Sequence, residues 1–441
     1  ALKENTCGCS NVALGTFAAY NNTTGANNIA IGTCAYCSGT TAINNIAIGN
    51  KAMMGHSGSG SCNTVLGIAA FQSPELCGSN NTALGFAALL KGGSNTVAIG
   101  ANALRNVGCT DCGSHTNVAM GGSAGCLLTK GCRNVFIGFQ AAECSVHDTA
   151  GGTIDDNVAV GTGAMKNNVN GHDQVAIGAF AMSAGGSGSN VAVGANAGEQ
   201  LSSLTSGGSY GNIAMGTNAL KCAVTACHNV AIGWGAMFAG DSTDTFNSQH
   251  NIAIGCHALR KNQTGGCSVA IGGGALLNNT IGCRNVAIGH ASLVANTTGC
   301  FNVAVGYESA CSNTVGLCNV SMGYHALRNA TTACQNIAIG YSALCVNQQN
   351  AIIAIGTCAA KGNTTGSANT VLGHFALRDN TTGNFNIAIG NLALDSNTTG
   401  LNNIAIGYQA NTNAVGAINV IAIGCRALCK NTTSTHVAIG S

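Results

Sequence analysis

The chain has 441 residues, a formal net charge of +2, and 7% charged against 46% hydrophobic residues. So small a net charge leaves no electrostatic footprint for nucleic acid or an anionic membrane surface, and apolar residues at regular spacing argue against disorder. No stretch approaches ~18 uninterrupted apolar residues, so no membrane insertion is expected.

From the N-terminus onward a pentapeptide close to Asn-Ile-Ala-Ile-Gly returns about every 17 residues. Its closing glycines start at Gly15, Gly32 and Gly49 and end at Gly407, Gly424 and Gly440; 14 of the 24 intervals between the 25 glycines are 17 residues long. A short fixed period is the mark of a solenoid. The expected fold is all-β: a parallel β-roll or β-helix of about 25 coils, forming one elongated domain over 1–441. Over 1–254 the array is less regular, with insertions at 101–120, 139–160, 195–215 and 234–254, and recognition is expected on such loops. Over 255–441 it is nearly uninterrupted. The chain opens at Ala1-Leu2 and stops at Gly440-Ser441, both mid-unit, which predicts a segment of a longer array or an end-to-end filament.

Residues 386–402 show the unit: Asn386-Ile387-Ala388-Ile389-Gly390, then Ala393-Leu394, then Asn397-Thr398-Thr399-Gly400. Period-two alternation predicts strand, and the unit has room for two short strands and two turns. Gly390 and Gly400 stand where sharp corners need a residue tolerant of positive φ. The two Ile are expected to point into the coil and the Ala outward. A column of small outward residues, as at Ala30, Ala231, Ala253, Ala304, Ala338 and Ala405, then predicts close approach of another chain. Asn285, Asn302, Asn319 and Asn336 stand at one position of successive coils and are expected to form an axial amide ladder.

The runs Asn229-Val230-Ala231-Ile232-Gly233-Trp234-Gly235-Ala236 and Asn285-Val286-Ala287-Ile288-Gly289-His290-Ala291 carry a resemblance to a known family. They resemble the head repeats of trimeric autotransporter adhesins and similar repeats of phage and viral tail fibres. The resemblance implies a left-handed parallel β-roll, three chains side by side, and an adhesive surface outside the cell. Two features depart from it: the repeat is longer, and there are 24 Cys.

The cysteines follow the repeat. Cys267, Cys283, Cys300, Cys318 and Cys334 lie five or six residues before the glycine on five successive coils. Cys126 with Cys132, Cys222 with Cys227, and Cys311 with Cys318 bracket the long turn of their coil. Disulfides could clip those turns or join neighbouring coils, whose spacing falls within the disulfide window. Buried thiols and metal binding stay open beside them. The best local metal pattern, Cys109, Cys112 and His115, lacks a fourth ligand at zinc spacing.

Asn22, Asn296, Asn363, Asn380, Asn397 and Asn431 head Asn-Thr-Thr glycosylation sequons in predicted turns. Tyr307, Tyr324 and Tyr341 share one corner of successive coils, and Tyr408 repeats it; the rings either pack on one another or bind sugar or protein. Asp155-Asp156 and Asp241 with Asp244 are too sparse for a calcium loop. His257, His290, His325 and His374 are expected as polar turn residues. No nucleophile elbow, P-loop or dinucleotide fingerprint appears, so neither catalysis nor a cofactor is expected. The predicted role is a structural or adhesive extracellular fibre or filament subunit on a cell or virion surface. Its partners would be itself, as a trimer or filament, and a host surface glycan or protein. Alternatives are an ice-binding solenoid, from the recurrent Thr, a virion tail-fibre shaft with receptor-binding loops, and a polysaccharide enzyme, which the scarcity of carboxylates disfavours.

Overall fold

A computed structural model describes residues 1–56, 60–72, 78–91, 93–107, 116–145, 154–169, 171–201, 208–238 and 248–440. The motif at 109–115, the pair Asp241 and Asp244, and parts of all four insertions lie outside these residues. Two compact units result, Ala1–Cys227 and His228–Ser441. The described residues contain 25 strands and no helix. The first unit holds β1 (Val12–Leu14) to β12 (Ile213–Met215), and the second holds β13 (Val230–Ile232) to β25 (Val437–Ile439).

Within each unit every strand pairs in parallel with the next. Register is preserved at each step: Ile252, Ala253 and Ile254 lie against Val269, Ala270 and Ile271, which lie against Val286, Ala287 and Ile288. Each residue therefore stands over its equivalent one coil away. Both units are β-solenoids of about 17 residues per turn, as the period predicts.

Only one strand forms per coil. The second of the two short strands expected per unit does not form; the Ala-Leu run is a chain of tight turns. In the coil of Gly390, the Ala393 N–H donates to the Gly390 carbonyl at 3.3 Å and the Asn397 N–H to the Leu394 carbonyl at 3.1 Å. Leu392 and Leu394 both take positive φ, 58° and 52°, and Asn402 before the next strand takes 57°. Three non-glycine residues in left-handed conformation recur in most coils, and glycine takes one or more of the three places in the others. Each costs on the order of 1 kcal/mol, so one coil could not hold this shape alone. Hydrogen bonds to neighbouring coils offset the cost: Leu394 N–H to Ala410 O at 3.0 Å, Gly407 N–H to Ile389 O at 2.8 Å, Ile404 N–H to Val420 O at 2.8 Å. The shape is a property of the stack.

The two expected corner glycines differ. Gly390 has φ 130°, as required of a corner. Gly400 has no positive φ; it is glycine because a Cβ there would collide with the Ala417 carbonyl of the next coil and with Asn397 Oδ1.

The strand faces are the reverse of the expectation. The middle residue is buried in every strand except β1 and β25, and the flanking Val, Ile, Leu, Met or Thr are half-buried or exposed. Ala30, Ala231, Ala253, Ala304, Ala338 and Ala405 are all fully buried inside their own coil, so they are not contacts for another chain. Alternation defines two faces without saying which is inside. The interior is narrow and already filled from the opposite wall by Ala393, Leu394 and their equivalents, so the inward residue is Ala in most coils and Val at Val65 and Val371.

The exceptions confirm how tightly volume is matched. Phe136 replaces the inward Ala, and the leucine position facing it shrinks to Gly125 on one coil and Ala142 on the next; a Cβ on Gly125 would crowd the Phe136 ring. Ser321 at the inward position pairs its hydroxyl with that of Ser309 at 2.8 Å, so the buried polar atoms satisfy each other.

Two asparagine ladders run inside each coil wall. The predicted one holds: the Asn302 amide donates to Asn285 Oδ1 at 3.2 Å, Asn319 to Asn302 at 3.1 Å and Asn336 to Asn319 at 3.3 Å. Each also donates to a turn carbonyl, as Asn302 does to Gly316 O at 2.8 Å. The second ladder was not anticipated: Asn279 donates to Asn262 Oδ1 at 2.7 Å, Asn296 to Asn279 at 2.8 Å and Asn313 to Asn296 at 2.9 Å. Asn380 and Asn397 continue the same pattern later, to Asn363 and Asn380 respectively. In an interior with so little apolar volume, these neutral amide columns replace much of what a larger hydrophobic core would do.

Candidate interaction surfaces

The outward strand residues form a coherent apolar surface on each unit. On the second unit, each of thirteen strands from β13 to β25 presents two side chains outward, all aliphatic or Met save Thr370. Ile254 is 37% exposed, Met322 41% and Leu372 46%. Strict register turns them into two straight columns of mostly branched aliphatics. Together they expose on the order of 1,000 Å² of apolar area, against roughly 300–600 Å² for the largest patch of an ordinary monomer. The first unit repeats the arrangement, with Thr64 and Thr82 as its polar interruptions.

A second surface is aromatic. His290, Tyr307, Tyr324 and Tyr341 each follow a corner glycine, and their rings stack at 5.4, 5.3 and 5.2 Å with interplanar angles of 12°, 10° and 4°. The ring faces lie against one another, so the column presents edges and hydroxyls to solvent rather than the open faces on which a sugar stacks. Glu308 sits beside it, its Oε2 2.7 Å from Arg328 and 3.2 Å from His325 Nε2. The Glu308 carboxylate pushes the Tyr307 phenol above its usual range. Further on, His374 packs on Phe375. In the second unit, Trp234 lies 4.3 Å from the His257 ring. Burial, with the Arg260 cation second, holds that imidazole below its ordinary value.

The threonine that directly follows the turn asparagine is committed to the fold. Thr280, Thr297, Thr314, Thr364, Thr381 and Thr398 each donate their hydroxyl to a carbonyl of the next coil at 3.0 or 3.1 Å. The sequons share this fate. Asn22, Asn296, Asn363, Asn380 and Asn397 are fully buried members of the second ladder, so the expected sugar attachment does not fit them. Their amide nitrogens, which would carry the sugar, are spent inside the wall. Asn431 is half-buried, with its amide on Thr433 O at 2.8 Å.

Cys126, Cys267, Cys283, Cys300, Cys311, Cys318 and Cys334 are free thiols. Cys126 and Cys311 therefore do not clip their turns to Cys132 and Cys318. Cys311 points its thiol along the axis instead, 3.5 Å from the Arg328 carbonyl. Among the described residues no three His, Cys, Asp or Glu stand close enough to share a metal. Asp155 and Asp156 are engaged: Asp155 Oδ1 accepts the Cys132 N–H at 2.6 Å, and Asp156 takes both ends of the Arg133 guanidinium at 2.6 and 2.8 Å. That hydrogen-bonded cation holds the Asp156 carboxyl below the usual range.

The outward apolar columns and the second amide ladder were both missed in the sequence. The ladder had a signal: Asn and Gly recur three residues apart in the Asn-Thr-Thr-Gly turns. Comparison with known protein families finds no matching family model, and comparison with curated proteins finds no match.

Proposed function

We propose that this protein is a non-catalytic structural subunit that self-associates through its outward Val/Ile columns into a fibre or filament. The observation that carries the reading is the in-register, predominantly apolar outward face of each unit. A face of this size matches the about 800 Å² per partner of a standard protein interface. A second copy suits it because a flat, regular face of branched aliphatics is complementary to itself. An assembly of three chains, and an extracellular or virion-surface setting, follow from the resemblance to adhesin heads and tail fibres. Adhesion to a surface glycan or protein would then fall to groups outside the apolar face.

The test is native mass, measured by analytical ultracentrifugation across a concentration series with thiols kept reduced. Oligomers in the unaltered chain, and monomers when Ile254, Ile288 and Ile339 are each replaced by Lys, support the reading. A monomer at every concentration overturns it. Ice binding is the weaker reading, because the recurrent Thr hydroxyls named above already hold backbone carbonyls.

A further inference from the structure

Register decides which cysteines can meet. The five cysteines that precede the glycine on successive coils occupy two positions, not one. Cys283, Cys300 and Cys334 stand six residues before it; Cys267 and Cys318 stand five before it, where the backbone takes positive φ of 59° and 56°. Among the described cysteines, Cys283 and Cys300 alone place a thiol at the same position of consecutive coils. Their Sγ atoms are 3.2 Å apart, and the Cys283 N–H donates to Cys300 Sγ at 3.1 Å. Strand-neighbour spacing of ~4.8 Å lies within the roughly 4.4–6.8 Å Cα window of disulfides.

The geometry points to Cys283 and Cys300 as a reversible oxidation site that staples two adjacent coils of the second unit through an axial disulfide. The oxidant class is a low-molecular-weight disulfide. A thiolate of one residue attacks a sulfur of that disulfide and expels one small thiolate, leaving a mixed disulfide on the protein. The second protein thiolate attacks the protein sulfur of that bond and expels the other small thiolate. The Cys283–Cys300 bond forms, the two protein thiols are oxidised, and the two protons they lose appear on two small thiols. Both residues are half-buried at the surface, so a small reagent reaches them.

Equivalent coils of the first unit explain why the site survives substitution. The same position is serine at Ser61, Ser79 and Ser94, where Ser79 Oγ accepts the Ser61 N–H at 3.0 Å and Ser94 Oγ accepts the Ser79 N–H at 3.3 Å. Cys283→Ser and Cys300→Ser thus keep the axial hydrogen bond and the fold.

The full chain, reduced and then exposed to oxidised glutathione, is alkylated, digested with trypsin and sequenced by mass spectrometry. Trypsin cuts after Arg284, so the staple joins peptide 262–284 to peptide 285–328 with loss of two hydrogens. Fragment ions should place the bond at Cys283 and Cys300, reducing agent should reverse it, and either serine variant should lack it while melting like the parent. Two outcomes overturn the proposal. One is alkylation of both residues in protein whose exposed Cys256 has already become a mixed disulfide. The other is a cross-link from Cys283 to a different cysteine.

Discussion

Asn397 and Gly400 are a matched pair. The Asn397 amide donates to the Gly400 carbonyl at 3.1 Å, and a Cβ on residue 400 would collide with Asn397 Oδ1. The same pairing joins Asn296 to Gly299, Asn313 to Gly316 and Asn380 to Gly383. Where the ladder stops, both residues change together: Ala330 with Ala333, and Ala414 with Ala417. The methyl at the second position takes the volume the carboxamide would need. The stops leave buried amide oxygens without a donor, at Asn313 Oδ1 before Ala330 and Asn397 Oδ1 before Ala414.

Extending the ladder should therefore need two changes. Ala330→Asn alone overpacks against the Ala333 methyl and should cost about 1–3 kcal/mol. Ala330→Asn with Ala333→Gly should recover that loss and gain about 1 kcal/mol from the donor supplied to Asn313. Denaturant unfolding of both single variants and the double variant measures the coupling. Additive effects would break the argument.

Asn411 occupies the inward position held by Leu377, Leu394 and Leu428 in other coils, and neither its Nδ2 nor its Oδ1 has a partner. Asn411→Leu removes a desolvated amide and adds apolar contact. It should raise stability by about 1–3 kcal/mol. Thermal unfolding reads this directly, and an unchanged or lower midpoint would refute it.

Adjacent residues of one strand should behave in opposite ways. Ala338 is fully buried, so Ala338→Leu should destabilise by about 1–3 kcal/mol through overpacking. Ile339 points outward, so Ile339→Lys should leave the circular dichroism spectrum intact and lower the native mass. If the Lys variant unfolds and the Leu variant does not, the assignment of the faces is wrong.

Trp234 is the single tryptophan and lies 4.3 Å from His257, so its fluorescence reports that imidazole. Protonation should quench it as pH falls. The His257 value is depressed, so the midpoint should lie below the ordinary histidine value of about 6.5. The sign for stability follows: the contribution is present above the ordinary histidine value and is lost as pH falls through the lower, folded one. His257→Phe should abolish the transition, and a midpoint above the ordinary value would contradict the environment described.

The sequence by itself determined the architecture. A glycine about every 17 residues with period-two alternation before it dictates parallel, in-register stacking, because equivalent residues must then meet equivalent residues. It also gave the first amide ladder, since a column of Asn at one position has axial neighbours by construction. Tertiary structure alone decided which strand face is inside. Alternation is symmetric between the two faces, and only the space left by Leu394 and its equivalents on the opposite wall assigns Ala388 inward and Ile387 and Ile389 outward. The turn asparagines were decided the same way. Asn397 reads as an exposed sequon along the chain, yet it is buried, because a coil of successive tight turns directs its amide toward the Gly400 carbonyl and Asn380. A one-residue offset likewise separates Cys283 and Cys300, which touch, from Cys267 and Cys318, whose left-handed backbone sets them at another position of the coil.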